Sequence, residues 1–345
     1  MDDALALKTP LRSSGPSEPQ VAAPSRAPDA PRSLLSLRQR PCGSPIWRLD
    51  TGVVGVGEAA WCPDRARARV ERKTARVTDR DLELQLERAR RLKLPPWILF
   101  APHEDAFAAS VAPARRNEII AMMNRLVDVG IGLAITTRGE IADATGLLAL
   151  ARRRPEALAV RIGLFSTESA LEHRWERGLA PGSRRLALGR ALKELGVKVE
   201  VELGPIVPFA NDDARQLKDA VRAVARAGLD AIAPRWIEDA PGLERQIEQE
   251  VSPSTARLVT GWFRQPGSNA GQALRRILPL QVRKSRLEQL HDAASQSRVR
   301  LITCACSDQG ACVACLEGRD LAAPQLDLFS FAAAASAPRE LQRFG

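Results

Sequence analysis

Four of the chain's six cysteines, Cys304, Cys306, Cys312 and Cys315, fall within the run CACSDQGACVAC, a C-x-C-x5-C-x2-C spacing. Thiols this close serve as a disulfide pair, a structural zinc site or an iron–sulfur site. The Cys-x2-Cys end suits either metal, because a tight turn lets two sulfurs face one ion. The Cys-x-Cys end gives alternate strand positions and needs a kink to converge. A full set of four protein thiolates makes a closed site, structural or electron-transferring. Cys42 and Cys62 stand alone. A second polar group, His103-Glu104-Asp105, has the residue types for metal binding or proton transfer, or for a hydrogen-bonded loop.

These groups need a scaffold. Pro, Ser and Ala dominate residues 1–40, which read as a disordered tail with order starting near Ile46. Beyond it, short apolar runs alternate with amphipathic segments. Trp97–Phe100, 131–136, 159–164, 197–203, 230–234 and 299–303 read as strands. The segments 113–129, 139–155, 183–196 and 212–228 read as helices, several closed by glycine. Strands separated by single helices pair in parallel through crossovers. Such repeats give a barrel, a partial barrel or a doubly wound α/β sheet, with functional residues after the C-terminal strand ends. The division expected is a partial β/α barrel over 41–298, a four-cysteine segment over 299–322, and a loose tail over 323–345.

Four segments then resemble, in order, the radical SAM proteins of the spore photoproduct lyase-like group: LFAPHEDAF (99–107), LAITTRGEIADATGLL (133–148), WERGLAPGSRRLALGRALKELGVKV (175–199) and LGPIVPFANDD (203–213). The last matches a family segment Ala-Pro-Ile-Ile-Pro-Gly-Leu-Asn-Asp. The resemblance covers roughly residues 97–236. It implies a partial parallel β/α barrel that binds S-adenosylmethionine above the strand ends, with Thr136, Glu176, Pro205 and Asn211 as the pocket residues carried over. The family's three-cysteine loop, C-x3-C-x2-C, holds a [4Fe–4S] cluster with one iron open. Here that stretch reads GVGEAAWCPDRARARVERK and keeps Cys62 alone. One thiolate does not hold such a cluster.

Past the cysteines, Gln325-Leu326-Asp327-Leu328-Phe329 resembles the short peptide by which bacterial DNA-processing proteins bind the replication sliding clamp. Gln325, Leu326, Leu328 and Phe329 would be the anchors of an extended ligand. Net charge is +10, from 51 Lys+Arg against 41 Asp+Glu, which suits either a solvated surface or a face that attracts nucleic acid. The chain has no tyrosine and only 4% aromatic residues, so base-stacking side chains are few. No apolar run spans a membrane and no secretion signal opens the chain, so a cytoplasmic protein is expected. Three readings follow. The first is a radical SAM-like protein degenerate at its cluster, with a C-terminal zinc or iron–sulfur site and a role with DNA or the clamp. The second is an active lyase-type enzyme with rearranged ligands. The third is a zinc-stabilised binding scaffold.

Overall fold

The computed structural model describes residues 35–39, 45–49, 51, 58–63, 65–66, 78–89, 96–102, 105–264 and 277–303. Cys42, His103, Glu104, the four C-terminal cysteines and the 325–329 motif lie outside the described residues. In chain order the elements are β1 (Leu35–Gln39), β2 (Pro45–Leu49), β3 (Glu58–Ala59), α1 (Asp79–Ala89), β4 (Trp97–Phe100), α2 (Pro113–Asp128), β5 (Gly132–Thr137), α3 (Thr145–Arg153), β6 (Leu158–Leu164) and α4 (Ser169–Trp175). They continue with β7 (Glu176–Arg177), α5 (Gly182–Glu194), β8 (Lys198–Ile206), α6 (Ala214–Arg226), β9 (Ala231–Trp236), α7 (Leu243–Glu250), α8 (Pro253–Gly261), α9 (Leu280–Ser297) and β10 (Arg300–Leu301).

Among the described residues the main sheet runs β1-β2-β4-β5-β6-β8-β9-β10. From β2 to β10 every neighbouring pair is parallel. The order follows the sequence and never reverses. Crossovers of one hand then place the connecting helices α2, α3, α5 and α6 on the same face of the sheet. A doubly wound sheet needs a reversal, so the order decides for a barrel-like curve. The sheet's two edge strands, β1 and β10, do not pair with each other, and the barrel is partial.

Order starts earlier than the Ile46 expected from composition. β1 pairs antiparallel with β2, Leu35 opposite Leu49. The Pro- and Ser-rich flanks hid a five-residue strand that has meaning only once its partner is known. The helix expected over 139–155 is also shorter: residues 138–144 form a strand-end loop and α3 starts at Thr145.

The two faces of the sheet have different chemistry. Ile98, Phe100, Leu133, Ile135, Val160, Ile162, Val201 and Leu203 are buried in the main core with Ile119, Met122, Leu188, Leu192, Val221 and Val224 from the helices. A Cβ on Gly189 of α5 would come to 3.0 Å from Ile162, so helix and sheet meet closely on this face. Alternate residues point the other way, into the partial barrel. Register sets them in rows: Ala134 beside Ala159 beside Lys198, then Thr136 beside Arg161 beside Glu200, then Gly163 beside Glu202 beside Ala233. Low down on β4 to β6 the barrel interior is therefore apolar, with Trp97 and Leu99 packed against Ala134 and Ala159, and near the strand ends it is charged.

β8 and β9 lose register between Leu203 and Ile206. Gly204 sits in this irregularity with φ +142°, and a Cβ there would stand 2.3 Å from the Arg235 carbonyl oxygen. No side chain fits, and Gly204→Ala is expected to lower stability by about 2–3 kcal/mol in chemical denaturation.

Candidate functional site at the strand ends

Arg138 follows β5 and folds its side chain back over the charged end of the barrel. The bare Cα of Gly163 makes the room: a Cβ there would lie 2.6 Å from the Arg138 guanidinium carbon. Arg138 Nε donates to Glu176 Oε1 at 3.2 Å, and Nη2 donates to Glu202 Oε1 and to the Gly204 carbonyl, both at 3.1 Å. Its guanidinium carbon lies 4.5 Å from the centre of the Trp61 ring, a cation–π contact. The Arg138 side chain is 2% exposed and that of Glu176 0%.

Glu176 is the other hub. β7 pairs antiparallel with β3, and the Ala60 N–H donates to the Trp175 carbonyl at 2.8 Å. This two-stranded patch carries Trp61 to Glu176, and Trp61 Nε1 donates to Oε1 at 3.2 Å. Glu176 Oε2 lies 2.7 Å from Arg185 Nη2, an ion pair without a well-directed hydrogen bond. Arg185 also donates to the Ala180 and Gly163 carbonyls.

Burial alone would raise the Glu202 carboxyl. The guanidiniums of Arg235, Arg138 and Arg161 outweigh it and hold the group at about 2. Asp105 goes the other way: burial raises its carboxyl above the usual range, against the pull of its hydrogen bonds. Asp105 Oδ1 accepts from Thr137 Oγ1 at 2.7 Å and from the Phe107 N–H, while Oδ2 accepts from the Arg138 N–H. Asp105 thus fixes the backbone from which Arg138 departs.

The four pocket residues expected from sequence are placed as follows. Glu176 is committed to Arg138, Arg185 and Trp61. Asn211 is 4% exposed; its Oδ1 accepts from the Val207 N–H, and its Nδ2 donates to the Phe165 and Pro205 carbonyls. Asn211 therefore shapes its own loop. Pro205 is buried beside it, and Thr136 is half-buried next to Arg161. Sequence reasoning missed Glu202, Arg185 and Trp61 and did not single out Arg138. One signal was available: VKVEVEL puts Glu200 and Glu202 on the same face of a parallel strand, where apolar runs are the rule.

Cys62 is 1% exposed, and its sulfur accepts the Arg65 N–H at 3.4 Å. The Gln246 side-chain amide of α7 donates to the carbonyls of Ala59, Ala60 and Cys62. No cysteine lies between Cys62 and Cys304 in the sequence. Among the described residues no three His, Cys, Asp or Glu side chains converge as metal ligands. The depression beside Trp61, Pro205, Arg235 and Trp236 is too shallow to enclose a water-sized sphere, whereas small-molecule sites enclose roughly 300–1,000 Å³. The described residues, with Cys62 as their one cysteine, do not form a three-thiolate cluster site.

Glu176→Gln leaves two buried guanidiniums short of a counter-charge and is expected to cost roughly 3 kcal/mol in denaturant unfolding. Glu202, with its folded carboxyl near 2 against 4.5 unfolded, stabilises the fold fully above about pH 4.5, and that contribution is lost as pH falls toward 2. The stability gap between the wild type and Glu202→Gln is therefore expected to be widest near neutrality and to shrink through this window. A gap that stays constant from pH 7 to pH 2 would contradict the ion-pair account.

No family model and no curated protein matches this chain at a significant level. Solved structures do. Spore photoproduct lyase complexed with dinucleoside spore photoproduct superposes with a TM-score of 0.58 at 16% identity, over 78% of this chain and 79% of that one. A cysteine-to-serine variant of spore photoproduct lyase gives 0.59 at 16% identity over 78% and 79%. A doubly substituted variant with bound AdoMet and dinucleoside spore photoproduct gives 0.57 at 16% over 74% and 75%. With the strand order, the chain thus has the fold of spore photoproduct lyase, the partial β/α barrel of the radical SAM enzymes.

Proposed function

We propose that this chain is a DNA-directed protein on the spore photoproduct lyase fold whose strand-end cofactor space has been given over to an internal ion-pair network. The observation that carries this reading is the buried Arg138, held between Glu176, Glu202 and Trp61 beside a single buried thiol. The chain then acts by binding, and the Arg138 network serves as the keystone of the barrel mouth. The DNA half of the reading is supported by the dinucleoside spore photoproduct in the neighbours' complexes and by the net charge of +10. The same reading takes Cys304, Cys306, Cys312 and Cys315 as a closed zinc or iron–sulfur site, and Gln325, Leu326, Leu328 and Phe329 as a sliding-clamp ligand.

Anaerobically purified full-length protein is expected to form no 5′-deoxyadenosine from S-adenosylmethionine under reducing conditions, and appearance of that product would return the chain to the enzymes. Iron, sulfide and zinc analysis is expected to find metal that disappears in Cys312→Ser/Cys315→Ser; full metal retention in that variant would remove the C-terminal site. Leu328→Ala/Phe329→Ala is expected to abolish clamp binding by the full chain, measured by surface plasmon resonance.

A further inference from the structure

We propose that Phe209, propped by Trp262, is a stacking platform for an unpaired base of single-stranded DNA, with the basic face of α6 tracking the adjoining phosphates. This deepens the DNA reading above and rests on it. Phe209 lies in the strand-end loop after β8. It is 61% exposed, the only aromatic among the five large hydrophobic side chains exposed among the described residues. Its φ is +64°, in the left-handed region. A bulky residue there is strained, and an exposed one gains no core burial in compensation.

The loop holds Phe209 in that conformation. Its N–H donates to Asp212 Oδ1 at 2.9 Å. Asp212 Oδ2 accepts two hydrogen bonds from Arg286 of α9, at 2.9 and 3.0 Å. Asn211 ties the loop to the Phe165 and Pro205 carbonyls. The Phe209 and Trp262 rings lie 6.2 Å apart between centroids and 30° from parallel. Trp262 therefore backs one side of Phe209, whose wide exposure leaves room for a flat partner. A nucleobase is such a partner, and stacking accepts any base.

The charge beside it has the matching sign. Asp213 caps α6 by accepting from the Arg215 and Gln216 N–H groups, so the helix starts just past the platform. Helical spacing puts Arg215, Lys218, Arg222 and Arg226 on one face over about 16 Å. Asp219 is the acidic group on that face, 3.7 Å from Arg215 and 3.6 Å from Arg222. Four cations against one carboxylate favour a polyanion. Arg215, with its side chain 86% exposed, stands at the end nearest Phe209.

The test is fluorescence anisotropy of full-length protein with a labelled single-stranded oligothymidylate, an abasic chain of equal length and the matching RNA. Phe209→Ala and Phe209→Leu are expected to weaken oligothymidylate binding by about 5- to 150-fold, with Phe209→Trp close to wild type. Abasic binding is expected to be weak and alike in all four proteins. Arg222→Gln/Arg226→Gln is expected to lower the slope of log affinity against log salt by about 1.4. Phe209→Gly, which relieves the left-handed strain, is expected to keep Tm while losing affinity as Phe209→Ala does. Wild-type affinity in Phe209→Leu, equal wild-type binding of abasic and base-bearing chains, or a Tm that falls sharply in Phe209→Gly would each overturn the platform while leaving DNA binding intact. Tighter binding of the RNA would overturn the choice of DNA. A wild-type chain that binds neither single- nor double-stranded DNA would sink the DNA reading itself.

Discussion

A guanidinium buried among carboxylates at the end of a β-barrel is the constraint on which this structure turns. Arg138 cannot be left unpaired there, since an uncompensated buried charge costs several kcal/mol. Its partners come from separate parts of the chain: Glu202 from β8, Glu176 from the small β3–β7 patch, and Trp61 from the turn beyond β3. Gly163 must lack a side chain to leave it space, and Asp105 must hold its backbone. Each choice is unremarkable alone and makes sense only with the others. Removing any one partner therefore disturbs several elements at once.

The sheet supplies the geometry for this. Because the strand order never reverses, all the crossover helices cover one face and the other face is enclosed by the strands' own curve. The enclosed face is then free to carry charge near the strand ends while Trp97, Leu99, Ala134 and Ala159 pack together lower down. The chain has the fold of spore photoproduct lyase, and among its described residues the strand ends carry ion pairs within the chain. A shared fold does not by itself carry a shared chemistry.

The strands β4, β5, β6, β8 and β9 and the helices α2, α5 and α6 were legible in the sequence because each carries its own hydrophobic period and a glycine or proline stop, whereas the two-residue β7 was not. β1 was not, since five residues between proline-rich flanks have no period to read. The site divided the same way. Cys62 standing alone was plain from the sequence. The role of Asn211 was not: the side chain looked like a ligand group and instead spends its amide on neighbouring backbone. Arg185 was also opaque, because it sits in a periodic helix where an arginine ordinarily faces water, and only the packing of α5 turns it inward to Glu176. Pairings between residues 38 and 64 positions apart, such as Arg138 with Glu176 and Glu202, leave no local trace.

The amide of Gln246 has a consequence for how the chain is made. It pins residues 59, 60 and 62 across sequence separations of 184 to 187, and Arg65 reaches Glu250 of the same helix across 185. As the polypeptide leaves the ribosome, neighbouring β/α units pair in the order of their synthesis. The turn that carries Trp61 gains these anchors only after α7 has emerged. Contacts of such long range close late, because the entropy of the intervening loop must be overcome first. The turn that carries Trp61 is thus anchored later than the strands β4 to β8, and a chain stopped before residue 243 would have those strands in place without these anchors.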